Sequence, residues 1–327
     1  MTARPRTIVA CFLLGASAFL LLCLEITIGD FPLTVPEVAA GLFGSGDPAA
    51  LLVINEIRLP RALVGLLIGI AFGVGGLLFQ ALARNPLASP DVIGVTDGAN
   101  TFAVATLLAG AGTGLGMSTM AVLGGFTVSA IVVGLSWKQG TTGIRIVLVG
   151  IGMAALCGSI TDYLLLKSGA FQAQQAVVWL TGSLSGRTWG SVPALAVAVA
   201  LLVPAALALG KWLAGLELGE DTARGLGVPV QGARLAIMAV GVGLVSFATA
   251  AAGPVAFVAL LAPQIARRLV HPSVPPLMTS GLVGAVVVLA ADLVARTLLS
   301  SGELPVGVVT GVVGAPVLLW LLARSFR

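Results

Sequence analysis

Charge is what this sequence lacks most. Asp, Glu, Lys and Arg make up 9% of its 327 residues, against roughly 25% in a soluble domain. So few charges cannot cover a water-facing surface, which excludes an ordinary globular enzyme. There is a single histidine, His271, beside Pro272, and no H-E-x-x-H pair or facing carboxylates stand on one helix face, so zinc hydrolysis and general acid–base work have no candidates. No G-x-x-x-x-G-K-[ST] phosphate loop is present, so the chain does not hydrolyse ATP by that route. Cys11, Cys23 and Cys157 lie in apolar runs without paired spacing, which points to neither a disulfide nor a metal site. Asp162 and Asp292 fall near expected outer helix ends, where snorkelling to water is cheap, so no carboxylate relay of the kind a proton-coupled carrier needs is expected near the midplane.

What is abundant is apolar: 58% of residues are hydrophobic and the mean hydropathy is +1.09. A bilayer core about 30 Å thick takes about 20 apolar residues per helix. Runs at 8–28, 62–82, 92–110, 117–136, 144–166, 191–209, 233–251, 254–268, 276–295 and 306–322 predict an all-α, polytopic membrane protein with about ten crossings. The first run has no small-residue cleavage pattern and is expected to stay as a helix. The eighth is short and led by Gly and Pro, a type of segment that re-enters or breaks. Glycine, 43 residues in all, gives small-xxx-small spacing at Gly65, Gly69 and Gly73, the pattern that lets membrane helices approach closely. Between the first two runs, Thr34-Val-Pro-Glu37 predicts a capped start to a short surface helix.

With ten crossings, twelve of the seventeen Lys and Arg fall on one side; the positive-inside rule makes that side, and both termini, cytoplasmic. The most charged cytoplasmic stretch is Leu216 to Val228, where Glu217, Glu220 and Asp221 precede Arg224 and glycines end any helix after about two turns. On charge alone it also reads as a plain solvated loop.

Six segments in order resemble one family: Arg58-Leu-Pro-Arg61, Gln80-Ala-Leu-Ala-Arg-Asn-Pro-Leu-Ala-Ser-Pro90, Trp179-Leu-Thr-Gly-Ser-Leu-Ser-Gly186, Leu218-Gly-Glu with Ala223 to Val228, Gly253-Pro-Val-Ala-Phe-Val-Ala-Leu-Leu-Ala-Pro-Gln264, and Glu303-Leu-Pro-Val to Pro316. The chain is similar nearly end to end to the FecCD-type permeases, membrane subunits of ABC importers for iron-siderophores, haem and vitamin B12. It departs from them at Gln264, where a histidine is frequent, and at Ala259-Leu260, where Gly-Leu is frequent.

The resemblance implies one permease domain over 1–327 in a bacterial plasma membrane. It implies a second permease (identical or homologous), two ATPase subunits carrying ATP and magnesium, and a solute-binding protein outside. No cofactor, metal or nucleic acid is implied for this chain. Arg58, Arg61 and Arg296 match arginines that meet acidic lobes of the binding protein; read locally, Arg58 snorkels and Arg296 pairs with Asp292 four residues earlier. Asn85 and Leu87 match a cytoplasmic gate, with Thr141 and Thr142 as its second layer, whereas Asn85 by itself reads as a turn cap. Glu217, Gly219, Glu220, Ala223, Arg224, Gly225, Leu226 and Gly227, within a segment at about 212–230, match the element that couples to the ATPase. The expected cargo is a ferric siderophore, with vitamin B12 or haem as the alternative within the family. A secondary transporter or an intramembrane enzyme is the alternative in class.

Overall fold

The computed structural model describes residues 5–29, 31–110, 115–137, 143–270, 275–298 and 302–325. Fifteen α-helices follow one another: α1 (Pro5–Thr27), α2 (Val35–Leu42), α3 (Pro48–Leu52), α4 (Leu59–Ala83), α5 (Val95–Leu108), α6 (Leu115–Ser136), α7 (Gly143–Lys167), α8 (Ala170–Leu180), α9 (Val192–Ala208), α10 (Gly210–Glu217), α11 (Glu220–Gly225), α12 (Val230–Ala252), α13 (Val258–Leu269), α14 (Leu277–Thr297) and α15 (Val306–Ser325). Each of the ten expected runs holds one long helix. Among the described residues, seven segments are long and apolar enough to cross a bilayer. At about 1.5 Å per residue, α5 and α13 reach only about 21 and 18 Å, and the chain at 84–94, irregular but for a 3-10 turn at Asp91–Ile93, and at 253–257 makes up the depth. Such irregular backbone survives in a membrane only where protein or a cavity surrounds it.

No span was expected between 166 and 191, yet α8 lies there. Its Gln172, Gln174 and Gln175 dilute the apolar signal below that of a span. The small elements follow local rules. The Glu37 carboxylate accepts from both the backbone N–H and the hydroxyl of Thr34 at 2.7 Å, which starts α2 where expected and holds that carboxyl below its usual range. Asp47 accepts from the N–H groups of Ala49 and Ala50, with Pro48 in the first turn of α3. A π-helical stretch, Val53–Arg58, then joins α3 to α4.

α4 and α12 are buried on nearly every side, whereas α1 and α7 keep most of their surface outward. The glycine edge of α4 explains its position. A Cβ on Gly69 would lie 2.6 Å from the Ala285 Cα and the Gly284 carbonyl oxygen of α14, and Gly73 abuts the Ser280 carbonyl. The Ser280 hydroxyl donates to the Gly73 oxygen at 2.8 Å. Gly76 meets the backbone of Ala259 in α13 in the same way. The spacing read from the sequence is therefore a packing edge along which backbones touch.

Sidedness is consistent with ten crossings. Arg6 at the start of α1 donates to the Arg268 and Leu269 carbonyls at the end of α13. The Arg268 guanidinium lies 6.0 Å from the Trp320 ring near the end of α15. The first and last helices thus share their terminal side.

We expect Gly69→Val to force α4 and α14 apart, an overpacking cost on the order of 1–3 kcal/mol, while Gly15→Ala, with nothing near its Cβ, stays close to neutral. Thermal unfolding of the purified protein in detergent measures both; equal midpoints would show that the glycine edge does not carry the packing.

Candidate functional site

At the outer end, side chains from four separate segments close an ion network. Arg61, in the first turn of α4, forks onto Asp292 of α14 (Nε–Oδ2 2.8 Å, Nη2–Oδ1 2.9 Å), and its Nη1 donates to both Glu303 oxygens at 2.8 and 2.9 Å. Arg296, one turn beyond Asp292, donates to the Glu25 carboxylate of α1 at 2.6 Å and to the Glu25 carbonyl at 3.0 Å; its Nε lies 3.7 Å from Asp292. Arg58 caps the end of α1, donating to the Ile26 and Thr27 carbonyls and to that of Phe31. Asp292 and Glu25 are 1% exposed, Arg58 5% and Arg61 7%.

This geometry corrects one expectation: Asp292 does not snorkel, because it is the buried centre of the network. The guanidinium groups of Arg58, Arg61 and Arg296 are mostly buried, and each donates to groups within the chain. The local alternative for Arg296, a contact with Asp292, is present but secondary to Glu25. Glu303, with 39% of its side chain exposed, is the member that reaches the surface.

Midway through the bundle, three of the sequence motifs meet. Gly253 (φ +77°) and Phe257 (φ +64°) break the chain between α12 and α13. The tip of α8 is pinned into the break: Ser183 N–H donates to the Ala252 carbonyl at 2.8 Å, and Gly307 N–H at the start of α15 donates to the Gly182 carbonyl at 3.1 Å. A cavity of about 410 Å³ opens beside this junction, bounded also by Phe72 of α4 and by Asp91 and Asp97. Phe72 is halfway along α4, so the cavity lies near the middle of the membrane. Asp91 and Asp97 thus stand at this depth, two carboxylates to which the sequence reading gave no place. The segment after α4 turns back up into the bundle, so that α5 starts deep inside.

At the inner end, Asn85 Oδ1 accepts from Leu87 N–H at 2.9 Å, the turn-cap geometry, and leaves Leu87 exposed. Thr141 and Thr142 lie outside the described residues. Gly143, which follows them, would place a Cβ 2.8 Å from the Leu82 carbonyl, so α7 begins against the end of α4. Two glutamines to which the motif reading gave no role hold this turn. Gln264 Nε2 donates to the Pro86 carbonyl at 2.9 Å and to Gln80 Oε1 at 3.0 Å, and Gln80 Nε2 donates to the Leu260 carbonyl at 3.2 Å. Gln80, a buried amide inside an apolar run, was the available signal.

Beneath the turn, α10 and α11 form a cytoplasmic hairpin. Glu217 accepts from Arg267 of α13 at 3.0 Å, and Glu220 from Arg234 of α12 at 2.5 Å. Ala223 is fully buried, and Gly219 (φ +105°) makes the bend against which Arg84 of the turn rests, 3.7 Å from where a Cβ would stand. Leu218, Asp221, Arg224, Gly225, Leu226 and Gly227 face outward, Arg224 pairing with Asp221 at 3.1 Å and with Glu220 at 3.6 Å. Gly227 (φ +77°) needs glycine for its backbone, whereas Gly225 is helical with open space around it.

Comparison with known proteins decides the family. The model of the FecCD transport family matches residues 17–324. The chain belongs to the FecCD transport family. It is 40% identical to the ferric enterobactin transport system permease protein FepG of Escherichia coli (strain K12), over 98% of each chain. It is 38% identical to the achromobactin transport system permease protein CbrC of Dickeya dadantii (strain 3937), over 91% of this chain and 86% of that one. Identity to the iron(3+)-hydroxamate import system permease protein FhuG of Bacillus subtilis (strain 168) is 32%, over 99% and 98%. A solved metal-chelate type ABC transporter in an inward-facing conformation superposes with a TM-score of 0.87 at 29% identity, covering 96% of this chain and 98% of that one. As a FecCD protein, the chain is a multi-pass component of the inner membrane and a transport subunit, not an enzyme.

The outer network gives a direct test in this FecCD chain. Asp292→Ala leaves Arg61 buried with half its partners gone, and breaking such a pair costs about 3–5 kcal/mol. The triple reversal of Arg58, Arg61 and Arg296 to glutamate should abolish accumulation of folded protein. A triple variant that accumulated with a wild-type thermal midpoint would mean that the network does not hold this end together.

Proposed function

We propose that the chain is the permease subunit of an ATP-binding-cassette importer that carries a ferric siderophore inward across the plasma membrane. In this reading one domain spans residues 1–327. A second permease, identical or homologous, completes the pathway. Two ATPase subunits hold ATP and magnesium, and a solute-binding protein delivers cargo from outside. The names of the relatives, which concern enterobactin, achromobactin and hydroxamate chelates, favour a siderophore over vitamin B12 or haem.

The observation that carries the reading is the cytoplasmic hairpin and its attachments. A transmission element must offer an outward face to a partner and be fixed to the moving bundle. α10 and α11 have both properties. Leu218 and Leu226 are each 64% exposed, while Glu217 and Glu220 fasten the hairpin to α13 and α12. Displacement of the hairpin by an ATPase is then felt by α13, which bonds the Asn85–Leu87 turn through Gln264 and ends at the cavity by Phe257. Glu217, Glu220, Ala223 and Gly219 serve as internal anchors. Asp221, Arg224, Gly225, Leu226 and Gly227 form the contact face. The turn at Asn85 and Leu87 serves as the inner gate, with Thr141 and Thr142 assigned to its second layer by the family resemblance alone. On the outer side, an acidic lobe of the binding protein reaches Arg61 by displacing Glu303.

Gly225→Val tests this cleanly, because nothing in the chain lies within 4 Å of its Cβ and an exposed substitution of this kind typically changes stability by about 0.5 kcal/mol or less. We expect a folded permease whose complex hydrolyses ATP with transport falling well below that turnover. ATPase rate and chelate uptake measured together in the reconstituted complex decide it. Wild-type coupling in the variant would refute the contact-face assignment.

A further inference from the structure

The mid-membrane cavity holds more unmet hydrogen-bond acceptors than a passive opening requires. Asp91 and Asp97 both line it, and they are close enough for the charge on one to act on the other. Among the described residues neither carboxylate has an ion pair, and no Lys, Arg or His lines the cavity. Asp91 lies deep in the fold but opens onto the empty space, so its side chain remains exposed. Thr96, 5% exposed, lines the same wall beside Asp91, and its Oγ1 has no partner in hydrogen-bond geometry; Asn100 Oδ1, one turn further along α5, is buried and equally unpartnered.

Two like charges and two unmet oxygens in a low-dielectric setting are costly unless a positive charge joins them. Divalent ions usually take six or more oxygen ligands or a denser set of carboxylates, and no group of three or more acidic or other metal-ligating side chains occurs among the described residues. A compact monovalent cation fits better. A primary ammonium carries three N–H donors and no acceptor, which complements two carboxylates and two further side-chain oxygens that can all accept. The volume, about 410 Å³, is at the small end of ligand pockets and suits an arm of a chelate rather than its whole body.

Resting on the reading of the chain as a chelate permease, we infer that this cavity is a site for a compact monovalent cation, formed by Asp91, Asp97, Thr96 and Asn100. The cation is either the ammonium arm of a passing ferric chelate or a free ion of the same charge. In the first case the site sets substrate class, favouring chelates with a positive arm over neutral or anionic ones at the middle of the pathway.

The test uses the intact importer in proteoliposomes, as wild type, Asp97→Asn and Asp91→Asn. Both variants are isosteric and relieve a like-charge repulsion, so folding should survive; thermal midpoints confirm it. Uptake is compared for a ferric tris-hydroxamate bearing a free primary amine, the same chelate with that amine acetylated, and a ferric tris-catecholate. A second readout, independent of any chelate, is the thermal midpoint of the complex in methylammonium or potassium chloride against N-methylglucamine chloride at equal ionic strength. Hydrogen bonds to a charged group support a preference of about tenfold for the amine chelate over its acetylated form in the wild type, with the ratio falling toward one in Asp97→Asn. That result supports the site and assigns the cation to the chelate. No chelate preference, but a midpoint raised by methylammonium or potassium in the wild type and not in the variants, supports the site with a free cation as its occupant. A midpoint response without uptake of any of the three chelates keeps the site and refutes the transport reading. Equal ratios and equal midpoints in all three proteins would overturn the inference, since protonation of the carboxyls alone would then account for their burial.

Discussion

Close backbone contact along one edge of α4 is the constraint on which the other features depend. In lipid, burying apolar side chains gives helices little reason to associate, so contact has to come from shape. Gly69 and Gly73 let α14 approach until its carbonyls meet the α4 backbone, and Gly76 does the same for α13. That proximity brings Arg61 within reach of Asp292 at the outer end. It brings Gln80 within reach of the Leu260 carbonyl toward the inner end. Polar contacts at the two ends are thus consequences of a glycine seam between them.

The two ends use charge differently. Outside, the pairs are almost wholly buried, and the desolvation of Asp292 and Arg61 is offset by bidentate geometry. Inside, Glu217–Arg267 is partly solvated, with side-chain exposures of 28% and 37%, and such pairs contribute little stability. Glu220–Arg234 lies deeper, with Arg234 4% exposed. The outer end is built to stay closed, and the inner end is a tether with one firm and one yielding attachment.

How much of this was legible follows from what a single chain position reveals. Spans, sidedness, the α2 cap and the glycine seam all come from spacing, and spacing is local. The six motifs located the outer end, the break before α13 and the hairpin. What spacing does not carry is the partner of each polar group. Arg61 and Arg296 read as surface charges because their carboxylates lie 231 and 271 residues away in sequence. Asp91 and Asp97 read as part of a cytoplasmic turn and the start of a span because nothing in the sequence says that the chain folds back into the bundle after Asn85. Gln264 was visible only as a departure from a family habit, and its role appeared once Pro86 was found beside it. The re-entrant α8 was hidden by its glutamines.

The outer network also has a consequence for the order in which the protein is made. Glu25 and Arg61 belong to the first fifth of the chain, whereas Asp292, Arg296 and Glu303 belong to its last eighth. During synthesis the early helices enter the membrane with an acid and a base that have no partners from the other end. The latch between them closes only when the ribosome has nearly finished. Any chain terminated before α14 lacks Asp292, Arg296 and Glu303 and so leaves Glu25 and Arg61 without the partners that close this end.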